Sequence, residues 1–151
     1  MEKRDSNNSD SVASATDWEK EVISALFCVA TAIYFEARGE PLEGQAAVAW
    51  VIYHRTASQQ YPDTACGVTH EDEHRKYQCQ FSYMCDGLRE DVHDDWAYAK
   101  AMMVTMLTAG GFIPDPTGGA THYHATRVRP WWAAELERTT RIDNHIFYRG
   151  E

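Results

Sequence analysis

Apolar side chains recur at helical spacing from Val22 to Ile33, through Ile23, Leu26, Val29 and Ala30. Steps of three and four residues predict an amphipathic helix. Thr16 followed by Glu19 has the form of a capping box and sets its start. The pattern stops close to Glu36, before Gly39. Pro41 suits the first turn of a second helix, where its missing N–H removes no bond. That helix runs to about Ser58. Its stretch Ala46 to Tyr53 is apolar nearly all round, which predicts a central, buried element. Residues 59–89 hold no sustained period, so this long connection is read as functional or as a carrier of short strands. Within it, Gln80-Phe-Ser-Tyr83 reads as a strand and Asp86-Gly87 as a turn.

A third helix is predicted over 90–109, with Val92, Trp96, Ala99, Met103, Met106 and Leu107 as its apolar stripe. Glu90, Asp91, Asp94 and Asp95 crowd its start, where the helix dipole favours negative charge. Gly110-Gly111 stops it. After a loop at 114–119, residues 121–126 alternate like a strand. Pro130 opens a short helix with Trp131, Trp132 and Leu136. Asp143-Asn144 then turns the chain into a last strand, 145–149. Helices first and small strands after predict an α+β fold, mainly helical with a small antiparallel sheet.

Composition narrows the function. The chain has 151 residues, 44% of them hydrophobic, enough to build one core. Residues 1–15 read as a flexible tail and 16–151 as a single domain. The net charge of −9 argues against nucleic acid and against anionic lipid as partners. No segment approaches the ~20 apolar residues of a membrane span, so no membrane insertion is expected. Met1 to Ser14 has no apolar signal region, which predicts accumulation in the cytoplasm. Of the four cysteines, Cys28 falls in a helical stretch and reads as a buried thiol. Cys66, Cys79 and Cys85 lack a Cys-x2-Cys pair, a poor zinc signature. One disulfide among these three is compatible with the sequence, and its pairing is open.

Glu36 is the leading candidate for chemistry. A carboxyl at a helix end, flanked by aromatics and facing a turn, loses water. Desolvation raises its pKa, and an acid that keeps its proton near neutral pH can donate it to a leaving group. The ordinary alternative is a solvated carboxylate or one paired with Arg38. Glu40 and Glu43 read as caps or solvated groups, although Glu40 is placed to line the same cleft. Gln80, Ser82 and Asp86 are either turn polarity or hydrogen-bonding groups for a polar substrate. His122 and His124 share one strand face, with Thr121 and Tyr123 on the other. A His-x-His pair is able to bind a metal, with His70 or His74 as helpers, but more often packs or hydrogen-bonds. Trp131 and Trp132, beside Arg127 and Arg129, either stack on sugars or anchor the short helix. There is no Gly-rich phosphate loop. Ser82 lacks a nucleophile elbow.

Six segments in order, Ala32-Ile-Tyr-Phe-Glu36-Ala-Arg-Gly-Glu40-Pro-Leu-Glu-Gly-Gln45, Gln80-Phe-Ser82, Asp86-Gly87, Gly119-Ala-Thr-His-Tyr-His124, Val128-Arg-Pro130 and His145-Ile-Phe-Tyr-Arg149, resemble the SleB-type cell-wall hydrolase family. That family includes spore-cortex lytic enzymes and phage endolysins. The resemblance spans about residues 20 to 149. It implies a lysozyme-related catalytic domain that cleaves peptidoglycan glycan strands as a monomer without a cofactor. It implies Glu36 as the single general acid and base, giving a 1,6-anhydro product, or a reducing end if the enzyme is a muramidase. Glu40, Gln80, Ser82, Tyr123, His122 and His124 would line the sugar cleft. The chain departs from the spore-enzyme pattern by lacking a peptidoglycan-repeat domain and a signal peptide. That looks more like a phage endolysin, held in the host cytoplasm and acting on the wall in the periplasm after release. Two other classes stand beside this one: a metal-dependent amidase or peptidase using His122 and His124, and a non-catalytic wall-binding module.

Overall fold

A computed structural model describes residues 14–71 and 80–150. Most of the predicted tail, His74 and Cys79 lie outside the described residues. Four helices come in the order α1 (Asp17–Ala37), α2 (Leu42–Ala57), α3 (Ala65–Thr69) and α4 (Asp95–Ala109). Three strands follow: β1 (His122–Ala125), β2 (Glu137–Ile142) and β3 (His145–Arg149). They form one antiparallel sheet in the order β1-β3-β2. The α+β expectation holds.

The start of α1 is the expected capping box, with the Thr16 backbone N–H donating to Glu19 Oε2 at 2.6 Å. Its stripe is only half used. Val29, Ala30, Ile33 and Tyr34 are buried, whereas Val22 and Ile23 are exposed together with Trp18 and Phe27. The first turns of the helix extend past the elements that cover its second half. Pro41 sits one place earlier than expected, as the N-cap of α2. The apolar run of α2 is central as predicted, with Ala46 to Ala49, Val51 and Ile52 all at 0% exposure. Tyr34 is fully buried, and its hydroxyl accepts the backbone N–H groups of His93 and Asp94, each at 3.2 Å.

The predicted stripe of the third helix is wrong in start and in face. The helix begins at Asp95, where the Asp94 carboxylate accepts the Ala97 N–H at 2.9 Å. Its buried face is Ala101, Val104, Thr105 and Thr108, while Trp96, Met103 and Met106 are exposed. Size and satisfiable polarity outrank hydrophobicity here. The small residues allow close approach to α1 and α2. The two threonine hydroxyls donate to the carbonyls of Ala101 and Val104, each at 2.9 Å, so neither buried hydroxyl is left without a bond.

The predicted strand at 80–83 is instead a 3-10 turn, Ser82–Met84. Phe81, Tyr83 and Cys85 are all buried, which imitates strand alternation. The backbone bonds are local, from Met84 N–H to Phe81 O and from Cys85 N–H to Ser82 O. The Asp86-Gly87 turn is as expected, with Gly87 at φ 78° and the Leu88 N–H donating to Asp86 Oδ1. The short helix after Pro130 is a 3-10 turn, Trp131–Ala134. β2 was not foreseen, because Glu-Arg-Thr-Thr-Arg carries no apolar alternation. It pairs with β3 through the turn at Asp143-Asn144, with an irregularity between Arg138 and Thr140.

The loop into β1 is held by Asp115, which bonds His54 at 2.8 Å, the Thr117 hydroxyl at 2.6 Å and the Gly119 N–H at 3.0 Å. Partial burial pushes this carboxyl's pKa up, but its hydrogen bonds from Thr117, His54 and Gly119 together hold it below the usual range.

Cys28 is not a free thiol. It is joined to Cys66, tying the middle of α1 to α3, and Cys85 is also disulfide-bonded. A helical position with a buried flank suggested a thiol; what decided the outcome was the approach of α3, to 5.2 Å between the Cα atoms. Closing a loop of 38 residues in sequence stabilises by roughly 4 kcal/mol in the chain-entropy picture. The variant Cys28→Ala/Cys66→Ala is therefore expected to lose about 2–4 kcal/mol in urea unfolding, and reductant, which also opens the disulfide of Cys85, should bring the parent protein to that midpoint or below it. An unchanged midpoint in both experiments would rule out this tie.

Candidate active site

The end of α1 presents Glu36 to a groove of about 1350 Å³. Ile33, Tyr34 and Ala37 are buried and fix the last turn of the helix. Phe35 and Glu36 are left facing the groove. Phe35 stacks on Tyr83 with ring centroids 4.9 Å apart, which seals one side of the carboxyl. Arg38 does not pair with Glu36; it lies over the Tyr34 ring, 4.8 Å from the centroid.

Burial is the largest influence on Glu36 and drives its pKa up. The Tyr123 hydroxyl and the backbone N–H groups of Ser82 and Tyr83 face it and pull the other way, and the Asp86 charge adds a further push upward. The result is a pKa of about 7. Glu36 Oε1 and the Tyr123 hydroxyl are both buried, and neither makes a hydrogen bond of ordinary geometry. Catalytic hydrogen bonds are often long before substrate arrives and tighten around it. Tyr123 is itself held neutral: burial, then the nearby Glu36 charge, raises its pKa well above the ordinary phenol value.

The seven residues that the family resemblance implied line this groove, Glu36, Glu40, Gln80, Ser82, His122, Tyr123 and His124, whereas Asp86, also read as a candidate, is not part of its lining. Their surroundings differ. Both ends of the Gln80 amide are engaged, its oxygen by Arg55 at 3.1 Å and its nitrogen by the Tyr123 carbonyl at 3.2 Å. Gln80 therefore holds the wall as well as lining it. Glu40 Oε2 accepts the Asn144 N–H at 3.4 Å. His124 bonds the Tyr148 hydroxyl at 2.9 Å and the Ala125 carbonyl at 2.8 Å. His122 bonds the Thr121 hydroxyl at 2.9 Å and packs on Trp132. Burial, with help from the Arg55 charge, lowers the His122 pKa to about 4, so the ring is neutral. Among the described residues, no group of three or more His, Cys, Asp or Glu side chains is arranged to hold a metal ion.

Sequence reasoning missed Arg55, Tyr61 and Glu71, which also line the groove. For Arg55 a signal existed. It falls three and four residues after Ile52 and Val51, on the buried face of α2. Its Nε donates to the Thr121 carbonyl at 2.7 Å and its guanidinium lies 4.5 Å from the Tyr61 centroid. Tyr61 and Glu71 sit in the stretch without a period, where nothing marked them. Trp131 and Trp132 line the groove as well, with Val128 and Pro130.

A sequence profile of cell wall hydrolases matches residues 39–148. The chain belongs to the cell wall hydrolase family. Relatives of this chain include the spore cortex-lytic enzyme of Halalkalibacterium halodurans, 35% identical over 120 residues, covering 79% of this chain and 33% of that protein. The spore cortex-lytic enzyme of Bacillus subtilis is 51% identical over 122 residues, covering 79% and 35%. The chain thus spans about a third of the length of these curated relatives. Among solved structures, the catalytic domain of the Bacillus cereus SleB protein superposes with a TM-score of 0.64 at 28% identity, covering 84% of this chain and 91% of that one. The catalytic domain of the germination-specific lytic transglycosylase SleB from Bacillus anthracis gives 0.65 at 30% identity, covering 83% and 93%. The profile match begins three residues after Glu36, so the case for that carboxyl rests on its geometry.

A raised carboxyl pKa is also a statement about stability. With the ordinary value at 4.5 and the folded value near 7, the folded state holds more protons than the unfolded state between these limits. Stability therefore falls as pH rises through that window, by about 3 kcal/mol in total. Glu36→Gln removes the ionisation. The variant should match the parent protein near pH 4 and exceed it by about 2–3 kcal/mol at pH 9 in urea unfolding. Equal stabilities at both pH values would show that the carboxyl is not held out of water.

Proposed function

We propose that this domain cleaves peptidoglycan glycan strands, with Glu36 acting first as general acid and then as general base. The observation that carries this reading is the half-dry carboxyl with a pKa of about 7, whose Oε1 has no partner in a groove wide enough for sugars. Below pH 7 the carboxyl holds its proton and is poised to donate it to the glycosidic oxygen. The C1–O bond then breaks and its electron pair leaves on the departing sugar's oxygen. Positive charge develops on C1 and the ring oxygen. The carboxylate formed in that step takes the proton from the C6 hydroxyl as O6 closes on C1. The product is a 1,6-anhydro end, no water is consumed, and Glu36 regains its proton. One carboxyl serves both halves because its pKa lies near the working pH.

The name of the Bacillus anthracis relative as a lytic transglycosylase supports this form of the reaction. Glu40 in the same groove favours a second reading, hydrolysis to a reducing end with Glu40 activating water. The setting we infer is that of a phage endolysin that reaches the wall from the cytoplasmic side. The oxidised Cys28, Cys66 and Cys85 support an oxidising place of action such as the periplasm. Among the described residues, no helix is long and apolar enough to cross a membrane.

Purified sacculi treated with the parent protein should release muropeptides with anhydro ends, read by mass spectrometry. Glu36→Gln should lower release at least 10²-fold with an unchanged circular dichroism spectrum. The rate should fall as pH rises above about 7, as the acid loses its proton. Reducing ends would select the hydrolytic reading, and near-parent release by Glu36→Gln would remove Glu36 from the mechanism. Release of free stem peptides, lost with chelator and restored by zinc, would replace both readings with the amidase.

A further inference from the structure

The groove holds a polar cluster that the chemistry at Glu36 does not use. Arg55 is only 4% exposed, yet its side chain lines the groove. Its Nε donates to the Thr121 carbonyl and its Nη2 to Gln80, while among the described residues Nη1 has no hydrogen-bond acceptor. Glu71 lines the same groove, close enough for its charge to act on the guanidinium. The two form no ion pair, and Glu71 Oε2 is buried without a hydrogen-bond partner. An unsatisfied buried acceptor is costly, and more so when charged. Such an atom in a native groove calls for a donor supplied from outside.

The pair defines what that outside group is. A buried guanidinium alone would select an anion. With a carboxylate oxygen facing the same space, an anion is repelled by Glu71 and a cation by Arg55. The fitting ligand is neutral, accepts a hydrogen bond at one end and donates one at the other. A secondary amide does both: its carbonyl takes the Nη1 donor and its N–H reaches Oε2. Tyr61 and Trp132 line the same part of the groove and offer apolar faces to a methyl group.

We propose that Arg55 and Glu71 form a recognition site for a secondary amide of the substrate, with the acetamido group of an N-acetylhexosamine as the leading source. This rests on the glycan reading above. A glycan strand carries a second such amide, where the stem peptide joins the lactyl group. Both share the chemistry, and the two arms of the test separate them.

The test uses Glu36→Gln as the background, so that binding is read without turnover. Calorimetry compares the β-1,4 tetramer of N-acetylglucosamine with the matching glucose tetramer, which has hydroxyls in place of the acetamido groups. Glu36→Gln should prefer the acetylated tetramer at least tenfold, and Glu36→Gln/Glu71→Ala should lose that preference. The second arm compares glycan strands with and without stem peptides. Discrimination confined to this arm, and lost in Glu36→Gln/Glu71→Ala, would assign the site to the lactyl amide instead. Discrimination in neither arm, or discrimination that survives Glu71→Ala, would overturn the site. Absence of cleavage by the parent protein would sink the glycosidic mechanism and leave this binding result to be judged by itself.

Discussion

Keeping one carboxyl away from bulk water is the constraint on which this molecule depends. The last turn of α1 is anchored by Ile33, Tyr34 and Ala37, which leaves Glu36 no choice but to face the groove. Phe35 and Tyr83 close over one flank. The Ser82–Met84 turn brings two backbone amides, and β1 brings the Tyr123 hydroxyl. Three separate parts of the chain meet at one side chain. Each limits the solvent that would otherwise return its pKa to the ordinary carboxylate range. The same desolvation that weakens the fold at alkaline pH leaves a proton available at neutrality, a trade often found at functional sites.

Much of the fold was legible because periodicity reports burial when one face is covered end to end. α2 is the clearest case: an apolar run with no polar face lies at the centre. The misreadings share a cause. Val22 and Ile23 have the right period but stay half-exposed among the described residues. On α4 the large side chains Trp96, Met103 and Met106 point outward, because the contact with α1 and α2 takes small residues and self-bonded threonines. Phe81, Tyr83 and Cys85 alternate like a strand while the backbone turns back on itself. β2 was silent because its polar side chains leave no pattern.

The site was legible in a different way. Glu36 could be read from a local arrangement, a carboxyl at a helix end between aromatics and a turn. The residues that surround it come from α2, β1 and the irregular stretch, and their meeting is a tertiary event. Arg55 shows the limit well. An arginine in register with Val51 and Ile52 hints at a buried charge, but only the fold reveals that Thr121, Gln80 and Tyr61 receive it. Glu71 offered no hint, since its segment has no period from which to depart.

The small sheet has two lateral borders, and each is protected against unwanted neighbours by a different device. β2 shows the solvent glutamate, arginine and threonine, with a break in register near Thr139 that bends it. At β1 the carbonyls of Thr121 and Tyr123 are capped by Arg55 and Gln80. Neither border offers a straight apolar ledge onto which a stray chain can zip. Crowded molecules of this protein should therefore stay separate where unguarded sheets would knit into aggregates.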